Sequence, residues 1–181
     1  STQNTLIMLL MIPMWMNFLL RIYAWVTLLQ DNGPIDMMLS LLGIHSTYIG
    51  NTGAVILGMV YEYLPFMVLP IYTVMSKIDN GLIEAAQELG SKNLNVFRKV
   101  VAPLSVPGII SGVTMVFVPS ASTFLVAQYL GGPDDIMIGD VIEKIFWTDQ
   151  NTGSAISLIL MIFIFVFLII MNLFGDEEAI A

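Results

Sequence analysis

The sequence of 181 residues contains no cysteine and few charged residues. Without cysteine the chain has neither a disulfide nor a thiolate metal site. Cysteine usage therefore does not indicate whether the protein lies in an oxidising or a reducing compartment. Only 11% of the residues are charged, whereas 57% are hydrophobic. A water-soluble domain of this length does not need so much apolar surface, so the composition indicates a polytopic membrane protein.

The chain also lacks the motifs of common catalytic sites. It contains no Walker A sequence, no GxSxG, no HExxH and no DFG-like set of kinase motifs. No basic patch indicates binding to nucleic acid. We therefore expect that this chain is not an enzyme and binds no metal or cofactor of its own.

Four hydrophobic stretches are each long enough to cross a membrane, which takes about 20 helical residues for about 30 Å of hydrocarbon. They are residues 5–29, 53–75, 104–130 and 153–174. Backbone groups in lipid must bond within their own segment, so these stretches are predicted to be helices and not strands. The predicted fold class is all-α, with four transmembrane helices in this chain.

The placement of the basic residues predicts the orientation of the chain. Four of the six lie in the loop 76–103, namely Lys77, Lys92, Arg98 and Lys99. Because cytoplasmic loops carry the excess of lysine and arginine, we expect this loop in the cytoplasm and the loops 31–52 and 131–150 outside. In the last of these, apolar residues at helical spacing between 138 and 145 predict a short amphipathic helix.

The cytoplasmic loop contains two predicted helices separated by a glycine. Asp79 or Asn80 is suited to cap the first helix, and Gly90 is suited to end it. The second helix begins near Leu94. On periodicity alone, an ordinary cytoplasmic loop explains this pattern equally well.

Two charged residues lie within the hydrophobic stretches. Arg21 and Glu62 are at similar depth, roughly 12–15 Å from the outer ends of their helices at 1.5 Å per residue. Intramembrane charges are costly and usually pair or line a polar path, so we expect these two to be neighbours. The pair either only locks two helices together or takes part in transport.

A motif in the cytoplasmic loop resembles the EAA loop of ABC importer permeases. The matching residues are Glu84, Ala85, Ala86, Leu89 and Gly90, followed by Pro103-Leu104 and Pro107-Gly108-Ile109. The resemblance implies that residues 84–90 belong to a coupling helix that docks on a cytoplasmic ATPase subunit. ATP and magnesium would then bind to two such partner subunits and not to this chain.

Further segments resemble spermidine/putrescine permeases of the PotB type. They are Ile12–Asn17, Arg21–Tyr23, Tyr63–Pro70, Leu130–Gly132 and Met137–Ile142. Members have six transmembrane helices in the type I, MetI-like importer fold, and this chain matches the last four. Since the sequence starts without a methionine and opens into an apolar helix, we expect the first two helices to be missing from it. Residues 1–181 would then form a permease domain of a bacterial inner membrane, with the coupling loop 76–103 within it.

The resemblance also implies partners and a mechanism. The partners are a second permease subunit of the PotC type, two ATPase subunits and an extracytoplasmic polyamine-binding protein, and the mechanism is alternating access. A permease for another solute, such as an amino acid, iron or an anion, remains an alternative. A membrane scaffold that transports nothing is a more distant one.

Chemistry and depth, and not a matched motif, predict the residues of the substrate path. Polyamines are multivalent cations, which carboxylate and aromatic groups attract. The predicted path residues are Trp15, Asn17, Tyr61, Glu62 and Ser120. Ser120 follows Pro119, which predicts a helix kink beside polar side chains. Alternatively, the hydroxyl groups there bond to their own backbone.

Overall fold

A computed structural model describes residues 2–44 and 46–179, with side chains described for residues 5–44 and 46–173. These residues form helices and connecting turns, with no strand among them, which confirms the all-α prediction. The helices are α1 Thr2–Met11, α2 Phe18–Leu29, α3 Pro34–Ser40, α4 Thr52–Met75, α5 Asn80–Glu88, α6 Asn93–Val96, α7 Ala102–Leu104, α8 Val106–Ser122, α9 Leu125–Leu130, α10 Ile138–Thr148 and α11 Gln150–Ala179.

Two helices are each long and apolar enough to cross a membrane, namely Thr52–Met75 and Gln150–Leu173. Two bent helix pairs also qualify if each pair counts as one span, which gives up to four spans among the described residues. The second and fourth predicted stretches are thus continuous helices. The first and third are interrupted.

The prediction of one continuous helix over residues 5–29 is wrong. A 3-10 turn at Ile12–Trp15 follows α1, and the segments Thr5–Trp15 and Phe18–Ser40 meet at 99°. Pro13 has no amide donor, so it cannot make the hydrogen bond that would continue α1. The side chain of Asn17 accepts a hydrogen bond from the amide of Leu19 at 2.9 Å and caps α2. Asn17 therefore starts a new helix where the hydrophobic pattern predicts continuation.

The third stretch, 104–130, consists of two helices. α8 runs through Pro119 and ends at Ser122, and α9 begins at Leu125. The interruption therefore lies at residues 123–124, beyond the proline where we expected a kink. At the other end, the helical segments Asn93–Leu104 and Val106–Ser122 meet at 58°, on either side of Ser105.

The chain packs as two compact units. The first unit comprises Ser1–Pro65 and Pro119–Ile159, and the second comprises Phe66–Val118 and Leu160–Ala181. The core of the first unit is formed by α2, α4 and α9, with buried residues Ile22, Leu29, Ala54, Val55, Val126, Ala127 and Leu130. A Cβ atom on Gly58 would lie 2.5 Å from Leu130 Cδ1, so the glycine allows α4 and α9 to approach closely.

In the second unit, α4 and α8 pack through two glycines spaced four residues apart. A Cβ atom on Gly108 would lie 3.0 Å from the Cα of Ile71, and one on Gly112 would lie 2.8 Å from Met67 Sδ. Small residues at this spacing let two membrane helices approach until their backbones nearly touch. The sequence GxxxG in α8 therefore forms the helix contact of this unit.

The last helix is not only a lipid-facing support. On α11, the rings of Phe163 and Phe167 lie 6.3 and 3.8 Å from the ring of Phe117 on α8. Such aromatic contacts add to the burial of apolar surface. This face of α11 therefore packs on α8.

A hydrogen-bonded clip joins the start of α4 to the loop after α9. Asp135 accepts hydrogen bonds from the hydroxyl of Thr52 at 2.5 Å and from the amide of Gly132 at 2.8 Å. The amide of Gly50 donates to the carbonyl of Leu130 at 2.9 Å. The Thr52 hydroxyl and then the Gly132 amide hold the pKa of Asp135 below its ordinary value of 3.8.

Replacing Asp135 with asparagine tests the clip. A depressed pKa means that the carboxylate stabilises the fold above its unfolded pKa, and that this contribution is lost as the pH falls through the folded pKa. We expect Asp135→Asn to lower the melting temperature in detergent at pH 7, and we expect its difference from the parent to shrink as the pH falls below 3.8 and through the lower folded pKa. Asp134→Asn, which removes a neighbouring exposed charge, is the control. Equal losses in both variants would assign the effect to net charge and not to the clip.

Candidate functional site

A buried ion pair joins α2 to α4 in the first unit. Arg21 Nη2 lies 2.6 Å from Glu62 Oε2. Arg21 is 7% exposed and Glu62 is 1% exposed. Because α2 starts at the cap of Asn17, Arg21 lies one turn into the helix, where it faces the middle of α4.

The ion pair is incompletely satisfied. Nε and Nη1 of Arg21 and Oε1 of Glu62 are buried without a hydrogen-bond partner in the described part of the chain. The effective cost of burying an ion is several kcal/mol, and attraction offsets it fully only when further hydrogen bonds are made. The guanidinium of Arg21 and the carboxylate of Glu62 can therefore each make further hydrogen bonds in the interior.

Aromatic rings surround the pair on the two helices that carry it. The ring of Phe18 lies 5.9 Å from Arg21 Cζ, within the range of a cation–π contact. Tyr61, the neighbour of Glu62, packs edge-to-face on Trp25 at 5.3 Å. Phe18 and Trp25 were missed from the sequence, although their spacing of three and four residues from Arg21 places them on its helical face.

Tyrosines also connect these helices to α8 and α9. The hydroxyl of Tyr63 donates to the carbonyl of Pro119 at 3.3 Å. The hydroxyl of Tyr23 donates to that of Tyr129 at 3.2 Å, and their rings lie 5.1 Å apart. The two contacts extend the polar and aromatic surroundings of the pair across the first unit.

The predicted path residues are only partly brought together. Tyr61 and Glu62 lie at the buried pair, and Ser120 follows the carbonyl that Tyr63 contacts. Trp15 lies before the 99° bend and is 90% exposed, so it is not part of the buried site. Asn17 uses its side-chain oxygen to cap α2. The assignment of all five to a substrate path stays a prediction.

The predicted coupling helix is present as α5. Its N-cap is Asp79, whose side chain accepts from the amide of Gly81 at 3.0 Å. Gly90 has a φ of +80°, the left-handed conformation that ends a helix, as predicted. Glu84 and Ala85 are exposed, Ala86 is half-buried, and Leu89 is 88% exposed. The motif therefore presents a charged residue and a large apolar residue on one accessible helix.

The segment after the coupling helix is irregular. A π-helical turn, Phe97–Val101, follows α6 and carries Arg98 and Lys99. Buried Ser105 then donates both its amide and its hydroxyl to the carbonyl of Val101, at 3.0 and 2.6 Å. Short π-helical turns are frequent at functional sites. The second predicted helix of the loop is thus divided into α6, the π-helical turn and α7.

Comparison with known proteins gives one family and a consistent set of relatives. The family of binding-protein-dependent transport system inner membrane components matches residues 2–176. The spermidine/putrescine transport system permease protein PotB of Haemophilus influenzae is 42% identical over 84% of this chain and 55% of its own length. PotB of Escherichia coli is 40% identical over 87% of this chain and 59% of its own length. The chain thus spans less than two thirds of these relatives.

A more distant relative and a solved structure also match the chain. The inner membrane ABC transporter permease protein YdcU of Escherichia coli is 30% identical over 94% of this chain and 59% of its own length. A chain of the MetNI methionine ABC transporter has a TM-score of 0.68, with 17% identity, over 98% of this chain and 76% of its own. At that identity the likeness shows a common MetI-like fold.

Proposed function

We propose that this chain, which belongs to the family of binding-protein-dependent transport system inner membrane components, is a permease subunit of an ATP-driven importer of polyamines. The observation that carries the proposal is the identity of 42% and 40% to two permeases of spermidine/putrescine transport systems. The alignments cover 84% and 87% of the chain. Glu62 also supplies a carboxylate within the hydrophobic stretches, where it pairs with Arg21.

The proposal assigns energy coupling to α5. Glu84 and Leu89 are exposed on a short capped helix, in the loop that carries most of the basic residues. We place this loop in the cytoplasm, where α5 docks on one of two ATPase subunits that bind ATP and magnesium. An accessible charged and apolar helix is the kind of surface that fits a protein groove.

The remaining parts of the complex follow from the same proposal. A second permease subunit completes the translocation path in a bacterial inner membrane, and an extracytoplasmic binding protein delivers the polyamine. Alternating access then exposes Glu62 and Tyr61, with Trp15, Asn17 and Ser120 along the path. A carboxylate beside aromatic rings suits an organic ammonium ion, which it attracts by charge and by cation–π contact.

The test is uptake by the complete complex, with the full-length permease and its ATPase and binding-protein partners in proteoliposomes. We expect ATP-dependent accumulation of radiolabelled spermidine and stimulation of ATP hydrolysis by the spermidine-loaded binding protein. Unlabelled putrescine should compete, whereas methionine and ferric iron should not. If the complex takes up methionine or ferric iron but not spermidine, the chain is still an importer permease, but its substrate is not a polyamine. Absence of any ATP-dependent uptake, with no ATPase subunit bound, would favour a scaffold.

A further inference from the structure

Arg21 and Glu62 are the only charged residues in the four hydrophobic stretches, and they contact each other. Replacing a buried ion pair with well-packed apolar residues is often neutral or stabilising. Locking α2 to α4 therefore does not by itself require a charged pair. Residues with a charge inside a membrane protein usually mark the path of a substrate or ion.

The contact between the two side chains is minimal. A guanidinium group can bind a carboxylate through two parallel hydrogen bonds, which is its strongest geometry. Here a single short contact joins Nη2 to Oε2. Nε and Nη1 of Arg21 and Oε1 of Glu62 are buried without a hydrogen-bond partner in the described residues. Glu62 thus keeps one oxygen available to a second cationic donor.

Aromatic rings on α2 and α4 accompany the ion pair. Phe18 lies within cation–π range of the guanidinium, on the same helix as Arg21. Tyr61, the residue before Glu62 in α4, forms an edge-to-face pair with Trp25 of α2. Aromatic faces and a carboxylate together form the recognition chemistry of organic ammonium groups. A guanidinium displaced from Glu62 would still have the ring of Phe18 within cation–π range.

Building on the polyamine importer proposed above, we propose that Arg21 is a resident counter-cation of the substrate site. Its guanidinium pairs with the carboxylate of Glu62 when the site is closed. When the site opens, an ammonium group of the polyamine takes its place beside that carboxylate. The carboxylate is then neutralised in both states, and the displaced guanidinium keeps its contact with the ring of Phe18. Because Arg21 is tethered to α2, its return to Glu62 helps to release the polyamine.

Direct binding of substrate tests this exchange. The probe is radiolabelled spermidine, and the sample is the full complex in nanodiscs without the binding protein. Removing the competing guanidinium in Arg21→Gln should let the complex retain spermidine at a concentration at least tenfold lower than wild type, and adding Glu62→Gln should abolish that gain. Equal retention by Arg21→Gln and wild type would overturn the counter-cation role.

A second variant covers the case in which Arg21→Gln alone does not assemble. Arg21→Gln/Glu62→Gln replaces the ions with two neutral amides of similar shape, which can bond to each other. A pair that only locks the helices predicts normal spermidine uptake in this variant. The counter-cation role predicts that the complex assembles and melts like wild type but loses at least nine tenths of its uptake.

The two proposals fail differently in these experiments. Normal spermidine uptake by the double variant overturns the counter-cation role and leaves the polyamine importer intact. A wild-type complex that takes up another solute but not spermidine overturns the proposed substrate and, with it, the counter-cation role.

Discussion

Glu84→Lys should uncouple ATP hydrolysis from transport in the complete complex. Glu84 is exposed on α5, and Leu89, the C-cap residue of this helix, is exposed as well. If α5 fills a groove of the ATPase, the reversed charge meets groups arranged to receive an anion. Breaking one buried, hydrogen-bonded charge pair at an interface costs about 2–5 kcal/mol. We therefore expect the stimulation of ATP hydrolysis by loaded binding protein to fall at least tenfold, or the ATPase subunits to dissociate.

The measurement combines size-exclusion chromatography with ATPase assays on the same preparation. Asp31→Lys is the matched control, since it makes the same charge change at an exposed residue of a loop that we place on the outer side. That variant should keep its ATPase subunits. If Glu84→Lys retains both assembly and stimulation, α5 is not the coupling element. Uncoupling without a change in spermidine binding would also separate this role from that of the Arg21–Glu62 pair.

Gly112→Leu should prevent the second unit from packing. A Cβ atom at this position already lies 2.8 Å from Met67 Sδ and 3.1 Å from the backbone oxygen of Met67. The methionine side chain can shift, but the backbone oxygen of α4 cannot, so a leucine forces the helices apart. Overpacking of this kind costs about 1–3 kcal/mol and sometimes more. We expect a melting temperature lowered by about 2–4 °C for each kcal/mol lost.

Thermal unfolding of the detergent-solubilised complex checks this prediction. Ser111→Leu places the same side chain at the neighbouring, exposed position of α8 and serves as the control. Gly112→Ala should fall between the control and Gly112→Leu, because a single methyl group mainly displaces the flexible end of Met67. Equal stability of the Gly112→Leu and Ser111→Leu variants would show that the GxxxG sequence is not a close helix contact.

The elements that the sequence predicts best are those with local causes. Asp79 caps α5 through its own side chain, and Gly90 ends the motif because it adopts a positive φ. Both effects act within a few residues, so they are visible in the sequence. α4 is likewise continuous over Thr52–Met75, as its long apolar run predicts.

The sequence predicts poorly those elements that depend on two competing local signals or on contacts between residues far apart in the chain. At residues 5–29 the hydrophobic pattern favours one helix, but Pro13 and the cap of Asn17 favour two, and no periodicity decides between them. The contact of Tyr63 with the carbonyl of Pro119 joins positions 56 residues apart. The sequence likewise predicts that Arg21 and Glu62 lie at similar depth. It does not predict which of their side-chain atoms lack a hydrogen-bond partner, because that depends on the packing of several helices.

The bend at Ser105 has a mechanical consequence. Ser105 and Val101 supply the local donors and acceptor of this bend, and the preceding π-helical turn is closed by a bond from the amide of Ala102 to the carbonyl of Phe97. These bonds lie within one short segment, so the bend is formed locally. If α5 couples to an ATPase subunit as proposed above, its movement would reach α8 through this bend. A more rigid bend would then change how far α8 turns without altering α5 or α8 themselves.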